Sequence, residues 1–250
     1  MKDVIVSVKN ITTRFGDNLV HDDISFDIHE GEIFGLLGPS GHGKSTMMRE
    51  MILLQKPDRG TIEVLGKPIW QLGEKEALEL RKQWGVVFQE SALFSSLSVE
   101  ENISLVLNEY TDMSPSLIRR IAATKLEMVG LSQKDGYKYP SELSGGMKKK
   151  ASLARALAMD PKLLFLDEPT SSLDPVSAAE FDGLILSLKK LLDLSIVIVS
   201  HDLESIRKTL DKMVFFAEKK IIAEGSLDDI LSISHPVINN FFLKEGVKDE

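Results

Sequence analysis

The turn GPSGHGKST, at residues 38–46, limits what this chain can fold into more than any other stretch of the sequence. Before it lies IFGLL (33–37), a continuous apolar run that is typical of a strand buried on both faces. After it, the pattern predicts a helix over about 44–54. Four residues between two glycines, followed by Lys and Ser, are typical of a phosphate-binding turn between a strand and a helix. The sequence therefore predicts an α/β fold built around a bound phosphate.

The residue types of this turn, termed the phosphate loop (residues 38–46), suit phosphate chemistry. Its glycines allow the backbone to curl so that successive N–H groups point at an anion. Lys44 can reach the β- and γ-phosphates of a nucleotide, the Ser45 hydroxyl is placed to bind Mg²⁺, and the Thr46 hydroxyl can bond another phosphate oxygen. His42 occupies a variable position, where we expect the backbone to act. The residues of the loop that are predicted to bind the nucleotide phosphates are Gly38, Pro39, Ser40, Gly41, His42, Gly43, Lys44, Ser45 and Thr46.

The rest of the chain alternates apolar strands with helical stretches. Between about 91 and 161 the pattern is mostly helical and more polar. Such alternation predicts an α/β core with a parallel sheet, and the helical stretch predicts a lobe inserted into that core. A short helix and an exposed tail are expected at the end. The further predicted strands are 4–8, 24–28, 61–65, 85–88, 163–167, 195–200 and a pair within 213–225.

Polar residues follow several of these strands, at the sheet edge where open α/β folds bind ligands. Asp167 is suited to hold the water shell of Mg²⁺, and Glu168 to polarise an attacking water. Alone, Asp-Glu-Pro is as typical of a helix cap or a solvated turn. Gln89 could reach metal and water, and His201 could contact the γ-phosphate. A lone Gln or His after a strand is usually structural. A functional role for Gln89 and His201 is therefore indicated only by their occurrence together with the phosphate loop and the acidic pair.

Composition excludes several classes of protein. A net charge of −8 argues against a protein that coats nucleic acid. The absence of cysteine excludes disulfides and thiolate metal sites. No apolar run approaches the roughly 18 residues that span a bilayer, and MKDVIVSVKN alternates like a strand rather than a signal peptide. We therefore expect a cytosolic protein whose membrane role, if it has one, comes through a partner.

Taken together, these motifs resemble those of ABC transporter ATP-binding subunits, in the order of that family and over about residues 1–230. The matching segments are Walker A (38–46), the Q-loop at Gln89, the signature LSGGM (143–147), Walker B (163–168), the D-loop SSLD ending at Asp174 and the switch histidine His201. The resemblance implies a P-loop NTPase (RecA-like) core with an N-terminal antiparallel β subdomain. It also implies an ABC ATPase domain at 1–235, with a helical subdomain at about 91–161, and a C-terminal tail at 236–250.

The family also implies how ATP would be held. Two copies form a head-to-tail dimer around two ATP molecules, and each nucleotide touches Walker A of one copy and the signature of the other. The signature residues in this chain are Ser144, Gly145, Gly146 and Met147. Phe15 falls where the family stacks an aromatic ring on adenine, although a core role is the alternative. Residues from about Gln89 to Leu105 would contact a membrane permease.

Several stretches resemble a narrower group, the Mla/Mce-type lipid-transport ATPases (MlaF-like). The stretches are 88–103, 125–131, 140–158, 218–226 and 235–242, and the signature carries Met147 where most families have Gln. The D-loop SSLDP departs from that group and is closer to the general family form. This resemblance implies ATP-driven phospholipid transport through a permease and an MCE-domain partner, at the cytoplasmic face of the inner membrane. It implies ATP and Mg²⁺ as cofactors and no nucleic acid as a partner.

Alternatives remain open from sequence. A small-solute importer, such as one for amino acids, usually has Gln in its signature. An FtsE-like ATPase would signal across the membrane without transport. A DNA-repair ATPase would carry a long coiled coil, and the sequence contains no heptad insertion.

Lys148, Lys149 and Lys150 follow the signature, where a helix is expected to begin. Positive charge there opposes the helix dipole by about 0.3–1 kcal/mol for each exposed residue. One interpretation is that the lysines are solvated and cost little. The other is that the helix faces a triphosphate held by the second copy, which would attract them.

Overall fold

The computed structural model describes residues 3–244. Its strands are β1 (Val4–Phe15), β2 (Asn18–His29), β3 (Ile33–Leu37), β4 (Arg59–Val64), β5 (Lys67–Pro68), β6 (Trp84–Val87), β7 (Leu163–Asp167), β8 (Ser195–Val199), β9 (Lys212–Ala217) and β10 (Lys220–Gly225). Its α-helices are α1 (Lys44–Met51), α2 (Glu74–Arg81), α3 (Val99–Tyr110), α4 (Pro115–Met128), α5 (Gln133–Gly136), α6 (Gly145–Ala156), α7 (Pro175–Leu192), α8 (Leu203–Thr209), α9 (Leu227–Ser232) and α10 (Pro236–Lys244). Short 3₁₀ helices lie at Ile69–Gln71 and Pro140–Glu142.

The chain divides into two compact units. The first comprises residues up to Ala77 together with those from Ser195 onward, and the second runs from Leu78 to Leu194. The first unit is therefore built from two segments that are distant in sequence.

An antiparallel sheet with the order β2-β1-β4-β5 forms one part of the first unit. The central strand β1 buries four consecutive residues, 5–8, and because successive residues point to opposite faces, both faces of the strand are covered there. β1 and β2 are each 12 residues long, which is longer than the predicted strands 4–8 and 24–28. The extension has a local cause: Phe15 pairs with Asn18, so the Gly16-Asp17 turn closes a tight hairpin.

The other part of the first unit carries strands in the order β10-β9-β3-β8. β3 is parallel to β8 on one side and to β9 on the other, while β10 returns antiparallel to β9. All five residues of β3 are buried, as the continuous apolar run predicts. A phosphate loop that follows β3 therefore leaves the sheet from a strand paired on both edges.

The C-terminal segment differs from the expected exposed tail. α10 buries Ile238, Phe241 and Phe242 in a cluster with Phe215 of β9. The Phe215 and Phe241 rings meet edge to face, with centroids 5.2 Å apart. Burial of each phenylalanine stabilises the fold by about 1.5–3 kcal/mol relative to exposure, so this cluster favours a docked α10. The rest of the predicted tail, 245–250, lies outside the described residues.

The second unit combines two parallel strands with helices. β6 pairs with β7, and Trp84 lies beside Leu163 in that register. α3, α4 and α6 pack on one another within the predicted helical stretch. α3 begins with a capping box in which Ser98 accepts from the Glu101 N–H, and the Glu101 carboxylate accepts from the Ser98 N–H. This unit also contains β6, β7 and α7, so the boundaries expected for a helical subdomain remain a prediction.

The α/β fold class is confirmed, with an antiparallel sheet in the first unit and parallel strand pairs in both. Among residues 3–244, no helix is both long enough and apolar enough to cross a lipid bilayer.

Candidate functional site

The phosphate loop has the backbone conformation that its sequence predicts. Gly38, Gly41 and Gly43 have φ values of 132°, 81° and 90°, and α1 begins directly afterwards at Lys44. The Lys44 side chain is buried, and its ammonium donates to the carbonyl oxygens of Gly38 (2.7 Å) and Pro39 (2.8 Å). The lysine thus curls back over the loop that precedes it, where a phosphate would accept from the same ammonium.

α1 is shorter than the predicted helix over 44–54. It ends at Met51, and Leu53 takes a left-handed conformation with φ of 64°. The N–H groups of Leu54 and Gln55 then both donate to the Arg49 carbonyl, which closes the helix end.

A buried polar cluster behind the loop is absent from the sequence prediction. His21 on β2 is fully buried, and its Nε2 lies 3.1 Å from the Gly43 carbonyl oxygen. Its Nδ1 lies 3.2 Å from Thr13 Oγ1 and 3.4 Å from Glu50 Oε2. The Thr13 hydroxyl donates to Glu50 Oε1 over 2.5 Å. The sequence pattern gives no signal for His21: the alternation that buries Ile24 and Phe26 would turn it outward, and a shift in the β1–β2 register turns it inward.

This cluster makes Gly43 sterically critical. A Cβ added at Gly43 would lie 2.4 Å from His21 Nε2, whereas a Cβ at Gly41 would meet nothing within 4 Å. Both glycines have similar left-handed φ values, so the two positions differ mainly in what the Cβ would meet, which at Gly43 also includes Val20 Cγ1 at 2.9 Å.

Gly43→Ala is therefore expected to destabilise the protein more than Gly41→Ala. Backbone strain should cost about 1–3 kcal/mol at either site, and overpacking against His21 about 1–3 kcal/mol more at Gly43. Thermal unfolding of both variants without nucleotide measures the difference. Equal melting temperatures for the two would contradict this role of His21.

His201 lies with the first half of the phosphate loop. A cavity of about 280 Å³ is lined by Gly38, Pro39, Ser40 and His201, together with Val237, Asn240 and Phe241 of α10. The predicted grouping of His201 with the loop is thus present within the first unit. The contribution of α10 differs from the sequence prediction, which is an exposed tail in that segment. His42 lies at the surface, where its Nδ1 is 3.1 Å from the Ser40 carbonyl oxygen.

In the second unit, the acidic pair lies at the end of β7 as predicted. Asp167 is its last residue and is buried, while the next residue, Glu168, is half-buried. Glu168 has φ of 47°, a left-handed conformation that is uncommon for a residue other than glycine. Its carbonyl oxygen accepts from the Ser171 hydroxyl (2.8 Å) and from the Lys149 ammonium (3.2 Å).

The signature segment (residues 143–147) leads into α6, which begins at Gly145. Ser144 is its N-cap, and the Ser144 hydroxyl accepts from the Met147 N–H over 3.3 Å. Gly145 and Gly146 occupy the first turn. The helix therefore presents a capped N-terminus, which is the end of a helix that attracts anions.

The three lysines after the signature do not share one environment. Lys149 is buried, and its ammonium donates to the Gln89 carbonyl (2.6 Å) as well as to Glu168, so it is neither solvated nor turned outward. Burial lowers the pKa of Lys149, an effect partly opposed by the negative charges of Glu90, Glu168 and Asp167. Lys150 lies 3.7 Å from Glu180, and Lys148 is half-buried.

Two further predicted site residues, Phe15 and Asp174, lie at a strand turn and at a helix start. The Phe15 side chain is 53% exposed at the β1–β2 turn, so it is not a core residue. Asp174 is the N-cap of α7 and accepts from the Val176 and Ser177 N–H groups. Hydrogen bonds from Ser177 lower the pKa of Asp174. Asp174 therefore has a capping role whatever else it contacts.

Comparison with known proteins agrees with these motifs. The family model described as ABC transporter matches residues 21–171. The chain is 40% identical over 238 residues to the probable ribonucleotide transport ATP-binding protein mkl of Mycobacterium leprae, covering 95% of this chain and 68% of that protein. It is 38% identical to the intermembrane phospholipid transport system ATP-binding protein MlaF of Haemophilus influenzae, covering 92% and 87%. It is 36% identical to the methionine import ATP-binding protein MetN of Lactobacillus johnsonii, covering 90% and 65%.

Solved structures show the same fold. A dimeric ATP-binding cassette in a post-hydrolysis state, bound to ADP and Pi, superposes with a TM-score of 0.81 at 29% identity, over 89% of this chain and 98% of that one. A subunit of the cbiONQ ABC transporter complex from Clostridium perfringens gives 0.82 at 29% identity, over 98% and 100%. The chain therefore belongs to the ABC transporter family, as an MlaF-like ATP-binding subunit.

Proposed function

We propose that this chain hydrolyses ATP to drive phospholipid movement between membranes. The observation that carries the proposal is its similarity to MlaF, which spans 87% of that protein. Met147 supports it, because the lipid-transport group carries methionine at this signature position. In this proposal the chain lies at the cytoplasmic face of the inner membrane, where it binds an integral-membrane permease and, through that assembly, an MCE-domain lipid-binding protein.

The proposed chemistry uses the site residues in distinct roles. The phosphate loop binds the triphosphate through backbone N–H groups and the Lys44 ammonium. Phe15 offers an exposed ring face on which adenine can stack. Glu168 accepts a proton from the attacking water, and His201 stabilises the charge that develops on the γ-phosphate.

The residues proposed to hold Mg²⁺ fit that ion. They are the Ser45 hydroxyl, the Gln89 amide oxygen and the Asp167 carboxylate, all oxygen donors of the kind that Mg²⁺ prefers. Within the described part of the chain, no three acidic, histidine or cysteine side chains converge on one point. The proposed site would need only one carboxylate, because Mg²⁺ in such sites is usually bound by one or two carboxylates together with substrate phosphates. When bound, Mg²⁺ neutralises charge on the phosphates.

The proposed ATP site is completed by a second copy of the chain. Two copies close head to tail, so that the capped N-terminus of α6 in one copy meets the γ-phosphate held by the other. Ser144 and the N–H groups of Gly145 and Gly146 are the proposed donors. Met147 can cost at most one side-chain hydrogen bond relative to Gln, or about 0.5–1.5 kcal/mol. Hydrolysis removes the bridging γ-phosphate, and the dimer opens.

A second candidate is a small-solute importer, and it rests on the similarity to the methionine import protein MetN. An FtsE-like signalling ATPase would share the ATP chemistry but move no substrate. These candidates differ in what stimulates the ATPase and in which partners bind the chain, so one experiment separates them.

Phospholipid is expected to alter the ATPase rate of the native complex severalfold. The tagged chain is purified with its membrane partners from its own host, and the complex is placed in nanodiscs with and without added phosphatidylglycerol. Bound lipids are extracted and identified from the same preparation, and the co-purifying proteins are identified by mass spectrometry. Free methionine with the soluble proteins of the host serves as the comparison.

A complex that carries no lipid and whose ATPase rate does not respond to lipid would exclude phospholipid transport. A response to methionine would favour the importer. An ATPase rate that responds to neither, with a permease-like partner present, would favour the signalling ATPase.

A further inference from the structure

Lys149 lies in the second turn of α6, yet its ammonium faces the interior of the second unit. The residue is 3% exposed, and its Nζ donates to the carbonyl oxygens of Gln89 (2.6 Å) and Glu168 (3.2 Å). These two acceptors belong to the predicted Q-loop residue and to the last residue of the predicted Walker B segment. One side chain of the signature helix thus holds the backbone of two other motifs.

Lys149 is the first of three donors on one face of α6. Ser152 donates to the Ser91 carbonyl over 2.8 Å, and Arg155 donates to the carbonyls of Ala92 (2.6 Å) and Ser91 (3.1 Å). The spacing of three residues puts all three side chains on the same side of a helix. Together they bind the backbone of residues 89–92 along its length.

The backbone segments that these donors hold are conformationally costly. Ser91 and Ala92 have φ values of 62° and 48°, and Glu168 has 47°. Left-handed conformations of residues other than glycine persist only where surrounding contacts maintain them. The donors of α6 supply such contacts, and Lys149 is the one that reaches both segments.

A buried lysine at this position carries a desolvation cost. Burial disfavours its charged form and lowers its pKa, while Glu90, Glu168 and Asp167 favour the charge. A charged donor makes stronger hydrogen bonds to carbonyl oxygens than a neutral one. The Glu168 carbonyl also accepts from Ser171, so loss of Lys149 should loosen the Gln89 backbone most.

We propose that Lys149 is a positioning residue for ATP hydrolysis: it holds the backbone of Gln89 and Glu168 and thereby places their side chains for reaction. The inference rests on the proposed function, since it assumes that Gln89 and Glu168 act on ATP. Lys149 itself contacts neither nucleotide nor water in this scheme. Loss of its ammonium should therefore slow the chemical step more than it weakens nucleotide binding.

The test compares Lys149→Met with a matched control, Lys125→Met. Lys125 is also a buried lysine of the second unit, but its partner is Asp160 rather than the backbone of a motif. Turnover is measured per nucleotide-binding site, counted by titration, so that unfolded protein does not contribute. Lys149→Met is expected to lower kcat about 10- to 100-fold, as small misplacements of catalytic groups do, with KM changed less than about threefold.

Lys125→Met should lower the melting temperature while kcat per site stays within about twofold of the parent protein. Lys149→Arg, which keeps a charged donor, should retain kcat within about fivefold. If Lys149→Met does not fold, Lys149→Gln replaces it, with the same expected loss relative to Lys149→Arg. A normal kcat per site in Lys149→Met, or an equal loss in Lys125→Met, would overturn the proposal.

Glu168→Gln, measured in parallel, separates this inference from the function on which it rests. If Glu168→Gln turns over ATP normally, the assignment of Glu168 is wrong and the role of Lys149 fails with it. If Glu168→Gln is inactive and Lys149→Met is normal, only the inference about Lys149 fails.

Discussion

Glu168→Gln is expected to lower the ATP turnover rate about 100- to 10,000-fold, the range that general-base catalysis contributes. Glutamine keeps the size of the side chain and its ability to accept a hydrogen bond. It lacks the negative charge that draws a proton from water. Because the phosphate loop and the signature segment are unchanged, ATP should still bind and two copies should still close around it.

Single-turnover ATPase assays measure the loss, and size-exclusion chromatography with ATP measures the closed dimer. Glu180→Gln is a suitable control, because Glu180 is an exposed carboxylate of the same unit. The variant Glu168→Gln should accumulate as a dimer in ATP, whereas the control should behave like the parent protein. Near-normal turnover by Glu168→Gln would remove Glu168 from the mechanism.

Lys44→Ala is expected to abolish most nucleotide affinity. One hydrogen bond from a charged group contributes about 1.5–3 kcal/mol, which corresponds to roughly a 10- to 150-fold change in Kd. The effect should be at the upper end, because the same ammonium also binds the Gly38 and Pro39 carbonyls and so helps to shape the loop. ATP affinity is measured by isothermal titration calorimetry.

Arg49→Ala provides the comparison for Lys44→Ala, since it removes an exposed cation from the same helix. It should leave Kd within about twofold, as expected for a screened surface charge. Undiminished affinity in Lys44→Ala would contradict the assignment of the phosphate loop.

The sequence predicts the parts of this fold that depend on local pattern. The buried strands β3, β7 and β8 follow from continuous apolar runs, and the phosphate loop follows from its glycines and its position between β3 and α1. The prediction of the phosphate loop rests on residues that are adjacent in the chain. Such local signals need no knowledge of which elements meet in space.

The missed features all depend on contacts between distant residues. His21 and Glu50 are ordinary polar residues until β2 and α1 bring them together behind Gly43. The helical position of Lys149 predicts an unfavourable charge near a helix start, but the carbonyls that it binds come from residues 89 and 168. The burial of α10 depends in the same way on Phe215, which belongs to β9.

The pairing of β3 has a consequence for biosynthesis. Ile33 lies beside Ile196 on one edge and Phe34 beside Lys212 on the other, so both neighbours of this strand are made well after it. Ribosomes add about 5–20 residues per second, and the phosphate loop thus spends many seconds attached to a strand without partners. During that time its apolar side chains are available to chaperones or to other nascent chains. The strand that leads into the phosphate loop can therefore gain both of its neighbours only after β8 and β9 have left the ribosome.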